Sequence, residues 1–154
     1  MPEPAGGPAP SSAAPQTLLG FDFGLRRTGV AVGNTLLREA SPLTTVQAEG
    51  EARYAPIAAL VAEWQPAALV VGVPFHPDGA EHDLSRAARR FARQLGLRHG
   101  LPVHEVDERY SSVEAEAVLA AEGGRRPARP GRPDPRLDAR SAALLLDQYL
   151  RALP

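Results

Sequence analysis

The chain has 154 residues, enough for one hydrophobic core but not for two. Hydrophobic residues make up 44% and charged residues 23%, a composition that excludes a collagen-like, coiled-coil or wholly unstructured chain. The net charge of −1 excludes a global basic field, and the absence of cysteine excludes disulfides, thiolate metal sites and a cysteine nucleophile.

Neither a membrane-length apolar run nor a secretory n-region and h-region is present, so a cytoplasmic protein without membrane contact is expected. All 17 basic residues are arginine, a bias that a GC-rich genome would produce. Locally the charge is uneven: six arginines between Arg125 and Arg140 face only Asp134 and Asp138.

Residues 1–16 are Pro, Ala, Gly and Ser without periodicity and read as a disordered tail. The rest, 17–154, reads as a single domain. Thr17–Gly24 reads as a buried strand ending in a turn, and Thr28–Asn34 and Ser41–Val46 as two more strands within hairpin reach. Helical spacing of Tyr54, Ile57, Ala58, Val61 and Trp64 predicts a helix over Glu51–Trp64. The apolar run Ala67–Val73, stopped by Pro74, predicts a strand covered on both faces. A helix over Asp83–Leu97 carries an apolar stripe of Leu84, Ala88, Phe91 and Leu95 against a face of Arg86, Arg89, Arg90 and Arg93. Pro102–Asp107 reads as a strand, and Ser111–Glu114 as a capping box opening a short helix. A Pro/Gly-rich basic loop at 123–136 precedes a last helix starting near Leu137 or Asp138, which buries Ala142, Leu145, Leu146, Tyr149 and Leu150. The order β-β-β-α-β-α-β-α-α predicts an α/β fold: a mixed five-stranded sheet flanked by helices, the RNase H-like arrangement.

Three segments could carry chemistry. In Asp22-Phe-Gly-Leu-Arg-Arg-Thr-Gly29 a carboxylate ends a strand beside Gly24, which permits close phosphate approach; alone, this is also an ordinary hairpin turn. Val106-Asp-Glu-Arg-Tyr-Ser-Ser112 puts two acids and an arginine at a strand's carboxyl end, where open α/β sheets bind ligands, although solvated loop charges would look the same. Asp138 falls in the first turn of the last helix, where an acid is favoured in any case. The small Ala139, Ala142 and Ala143 would let that helix lie close to the sheet and bring Asp138 toward Asp22. Together, three acids from two strand ends and one helix suit hard divalent cations such as Mg²⁺ or Mn²⁺. Two such ions about 4 Å apart activate water and stabilise the leaving oxyanion in phosphodiester cleavage. Alternation leaves open whether Asp107 or Glu108 faces such a site.

The chain resembles the YqgF/RuvX-type family, described as Holliday junction resolvases and as pre-16S ribosomal RNA nucleases. The resemblance runs from Thr17 to Leu150 and rests on four ordered elements: D-x-G-x-x-R-x-G at Asp22–Gly29, G-x-P…G at Gly72–Gly79, D-E-R-x-S at Asp107–Ser111 and D-A-x-(S/A)-A at Asp138–Ala142. It implies a metal-dependent nuclease with Asp22, Glu108 and Asp138 as catalytic metal ligands for Mg²⁺ or Mn²⁺, and Arg27 and Arg109 on substrate phosphates. Arg26, Ser111 and Arg136 are further candidate substrate contacts. The implied partner is nucleic acid, structured RNA or branched or single-stranded DNA, bound by a monomer or homodimer. Phe23 and Tyr110 stand where the family commonly has Pro and Leu. His76, His82, His99 and His104 have no metal spacing, and the Arg86–Arg93 face reads first as a solvated helix surface. Two other readings compete: a non-catalytic nucleic-acid-binding module of the same fold, and an actin-like ATPase, whose two-domain nucleotide clamp exceeds the length of this chain.

Overall fold

The computed structural model describes residues 14–74, 83–107 and 135–153. Five strands, β1 (Thr17–Asp22), β2 (Thr28–Asn34), β3 (Glu39–Val46), β4 (Ala68–Val73) and β5 (Val103–Asp107), form one sheet in the order β3-β2-β1-β4-β5. The first three pair antiparallel, joined by short turns, while β1-β4 and β4-β5 pair parallel. The parallel pairs need crossovers, and helices supply them. Helix α1 (Tyr54–Trp64) lies between β3 and β4 in the chain, and α2 (Asp83–His99) lies between β4 and β5. Helix α3 (Pro135–Ala152) is the last element.

Period-two alternation sorts the apolar side chains into two layers. Leu19, Phe21, Phe23, Leu69, Val71 and Val73 bury on one face with Ile57 of α1 and Ala88, Phe91 and Leu95 of α2. Leu18, Ala31, Ala68 and Val70 bury on the other with Ala142, Leu145, Leu146 and Leu150 of α3. The expected RNase H-like arrangement, a mixed sheet with helices on both faces, is therefore present. Phe91 anchors the first layer, its ring edge-on to Phe21 at 5.9 Å and tilted over Phe23 at 4.8 Å.

Several boundaries differ from expectation for local reasons. The segment expected to start a helix at Glu51 begins as a 3-10 turn, Gly50–Arg53, and α1 proper starts at Tyr54. Pro56 has no N–H to give, so it is tolerated only in the first helical turn. On α1, Ala58 is exposed rather than in the stripe, while Leu60 packs against the core. Helix α3 starts at Pro135, earlier than Leu137, again with proline where its missing donor costs nothing. Its far end is tied down by Asp147, which accepts the Ala40 amide at 2.8 Å, and by Arg38, which donates to the Leu153 carbonyl at 2.7 Å. The helix expected from Ser111, most of the 123–136 loop and the tail through residue 13 lie outside the described residues. Among the described residues no helix is long and apolar enough to cross a membrane.

Candidate active site

Asp22 is the last residue of β1, and alternation after Leu18 and Gly20 turns it toward the α3 face. Its neighbours in the sheet are Gly29 on β2 and Gly72 on β4, two residues without side chains. The carboxylate therefore stands in a bay across the middle of the sheet, with Val106 of β5 opposite Gly72.

The bay is closed on one side by α3. A Cβ on Gly29 would overlap the carbonyl oxygen of Asp138, so only glycine lets the first turn of the helix come this near. Ala139, Ala142 and Ala143 are all buried in that contact, as small side chains in a close approach must be. Asp138 thus reaches the same edge of the sheet as Asp22, through the strand residue paired with Asp22.

Arg27 pairs with Asp138. Its Nη2 lies 2.9 Å from Asp138 Oδ2, with both side chains about four-fifths buried (21% and 22% exposed). The contact is an ion pair. Such partial burial weakens solvent screening and makes the pair more favourable than an open surface bridge.

The remaining candidates are placed as follows. Arg26 is exposed, reaching only to within 4.0 Å of Glu49. Arg136 is exposed in the first turn of α3, two residues before Asp138. Asp107 pairs with Val73 and shares its strand face with Val103 and Glu105, the face that packs on α1 and α2; Glu105 meets Arg89 of α2 at 3.3 Å. Of the two acids that the sequence leaves open, Asp107 therefore points away from Asp22's side of the sheet. Glu108, Arg109 and Ser111 lie outside the described residues, as do His76 and His82. His104 stacks on Tyr149 at 5.1 Å, two residues back from Val106 on β5. The arginines of α2 belong to the opposite face of the sheet from Asp138, where Arg86 pairs with Asp83 and Arg89 with Glu105. Among the described residues no group of three acids or histidines forms a metal cluster.

Sequence reasoning missed Arg53. This arginine is 5% exposed and donates from Nη2 to the Leu25 carbonyl at 2.8 Å. Its guanidinium carbon lies 4.5 Å from the centre of the Phe23 ring and 5.9 Å from that of Phe91. Burial pushes its pKa below the ordinary arginine value, against the opposing pull of Tyr54 and Glu49. Nothing in the local sequence distinguishes it from a solvated arginine at a helix start. Phe23, the departure from the family pattern, supplies one of its aromatic faces.

Comparison with known proteins agrees with this architecture. The family described as RuvX, Holliday junction resolvase, matches residues 16–152. A protein of Polaromonas sp. strain JS666 named "Putative pre-16S rRNA nuclease" is 52% identical over 143 residues, covering 93% of this chain and 94% of its own length. One of the same name from Albidiferax ferrireducens is 51% identical over 150 residues, covering 97% and 87%. Among solved structures, Thermus thermophilus RuvC in complex with a Holliday junction substrate superposes with a TM-score of 0.56 at 19% identity, over 89% of this chain and 94% of that one. At that identity the likeness speaks to the fold.

Proposed function

The chain belongs to the RuvX Holliday junction resolvase family and is a nuclease, and we propose that it cuts phosphodiester bonds with divalent metal held by Asp22, Glu108 and Asp138. The observation that supports this reading is that Asp138, ion-paired with Arg27, has its main chain packed on Gly29, the strand partner of Asp22. The donor set fits the group: carboxylate oxygens are what Mg²⁺ or Mn²⁺ takes. Asp107 shares its strand face with Val103 and Glu105, away from Asp22, so Glu108 is the third acid proposed, as the family resemblance implies. Bound there, the metal would supply an activated water and neutralise the leaving oxyanion.

The chain's own residues do the rest. Asp22 and Asp138 set the negative pole at the sheet edge, and Arg27 balances Asp138 until substrate arrives. Arg27 then grips a backbone phosphate, a task for which the forked guanidinium is suited, and Arg26, Arg109, Ser111 and Arg136 are the further proposed substrate contacts. Because relatives about half identical are named for pre-16S rRNA, the substrate proposed is precursor 16S ribosomal RNA, with four-way DNA junctions as the second choice suggested by the family description.

The test is side-by-side cleavage of a precursor 16S RNA leader, a four-way junction and single-stranded DNA in Mg²⁺ or Mn²⁺. Asp22→Asn, Glu108→Gln and Asp138→Asn should each remove cleavage and weaken Mn²⁺ binding measured by calorimetry. An Asp22→Asn protein that cuts as fast as the parent would refute the assignment. Nucleic-acid binding in EDTA without cleavage under any metal would instead favour the binding-module reading.

A further inference from the structure

The loop between β1 and β2 carries Arg26 and Arg27, and its tip, Leu25 and Arg26, is exposed. The Leu25 side chain is 62% exposed, so it is no plug into the core. The Arg26–Glu49 pair, at 4.0 Å and with side chains 85% and 72% exposed, is the kind of surface bridge that contributes next to nothing. The turn is also tight: a Cβ on Gly24 would sit 2.5 Å from the Arg27 carbonyl oxygen. The exposed tip of the loop therefore gains little from contacts of its own side chains.

We propose that Arg53 is a positioning residue for the nuclease reaction, holding this loop from beneath through the Leu25 carbonyl so that Arg27 is presented to Asp138 and to the substrate phosphate. The proposal rests on the reading of Arg27 and Asp138 given above. Its ground is the placement of a charged group where a neutral one would pack more cheaply. Arg53 is nearly enclosed, lies against Phe23 and Phe91, and its Nε finds no hydrogen-bond partner among the described residues. An apolar side chain of similar volume would avoid that desolvation. What it would lack is a cationic donor at the Leu25 carbonyl, and charge-assisted hydrogen bonds are the strong ones. The guanidinium carbon lies over Phe23 and near Phe91 while its Nη2 donates to the loop carbonyl. The tether is two residues from Arg27, and Arg27 is in turn 2.9 Å from Asp138. The line from buried cation to metal-binding acid thus runs through one backbone carbonyl and one side chain.

The experiment is a double-mutant cycle on cleavage of the precursor 16S RNA leader, or of the four-way junction if that is the substrate cut. It compares the parent, Arg53→Met, Arg27→Ala and the double variant, with kcat, KM and the thermal midpoint for each. If Arg53 acts through Arg27, Arg53→Met lowers kcat/KM roughly tenfold in the parent but less than about twofold once Arg27 is gone. The thermal midpoint of each variant checks that the loss in kcat/KM is read on folded protein. Arg53→Lys, which keeps a cation and a donor, should recover part of kcat/KM, and it carries the same cycle if Arg53→Met fails to fold. Losses in kcat/KM that multiply in the double variant would overturn the proposal and leave Arg53 a packing residue. An Arg27→Ala protein with parental kinetics would instead refute the role given to Arg27, and the positioning proposal with it.

Discussion

The carbonyl oxygen of Asp138 occupies the space that a side chain on Gly29 would need. Gly29 is also the strand partner of Asp22, so one glycine sets how near the first turn of α3 comes to the strand end that carries Asp22. Gly29→Ala should force the first turn of α3 outward. Overpacking of this kind costs about 1–3 kcal/mol, visible as a lower thermal midpoint. Cleavage should fall further than stability, by about a hundredfold, because a shift of an ångström at the reacting centre is enough for that. A Gly29→Ala protein with parental activity would show that Asp138 does not have to sit where it does.

The pairing of Arg27 with Asp138 predicts a salt-dependent phenotype. Arg27→Ala should weaken nucleic-acid binding alike across sequences and lower the slope of log affinity against log salt by roughly one, as loss of a single phosphate contact does. Fluorescence anisotropy over a salt series measures this directly. An unchanged slope would mean that Arg27 serves only Asp138.

Phe91 touches Phe21, Phe23 and Tyr54 from the middle of α2. Phe91→Ala should destabilise the fold by about 3–5 kcal/mol, the usual cost of a large aromatic cavity. Urea denaturation gives the value. A loss below about 1 kcal/mol would indicate a site able to collapse, contrary to the packing seen.

Alkaline pH should erode stability through two tyrosines. Burial raises the pKa of Tyr54 and of Tyr149 above the ordinary phenol value; at Tyr54 the nearby Arg53 and Arg98 partly oppose the rise. A folded-state pKa above the unfolded one means that the folded state holds its protons longer. The contribution is thus complete below the ordinary value of about 10 and is lost as pH rises through the folded values. Tyr54→Phe and Tyr149→Phe should each flatten the fall in thermal midpoint on the alkaline side. A curve unchanged in both variants would contradict the upward shift of the two phenols.

What the chain determined by itself is what local pattern can encode. The run Ala67–Val73 could only be a strand buried on both faces, because it is apolar without period. The stripes through Phe91 and through Leu145, Leu146 and Leu150 named the buried faces of α2 and α3, because side-chain direction in a helix follows from spacing alone. Asp22 and Asp138 were legible as candidates, as was the run of alanines after Asp138, since each belongs to a short motif. Tertiary structure decided matters that join residues far apart in the chain. Strand register with β4 turned Asp107 away from Asp22, although an isolated strand has no preferred face. Arg27 rather than Arg26 met Asp138, and Arg53 left solvent for a pocket between two aromatic rings. These choices rest on contacts closed across the sheet, and the energy of such a contact exists only once the fold has brought its two halves together.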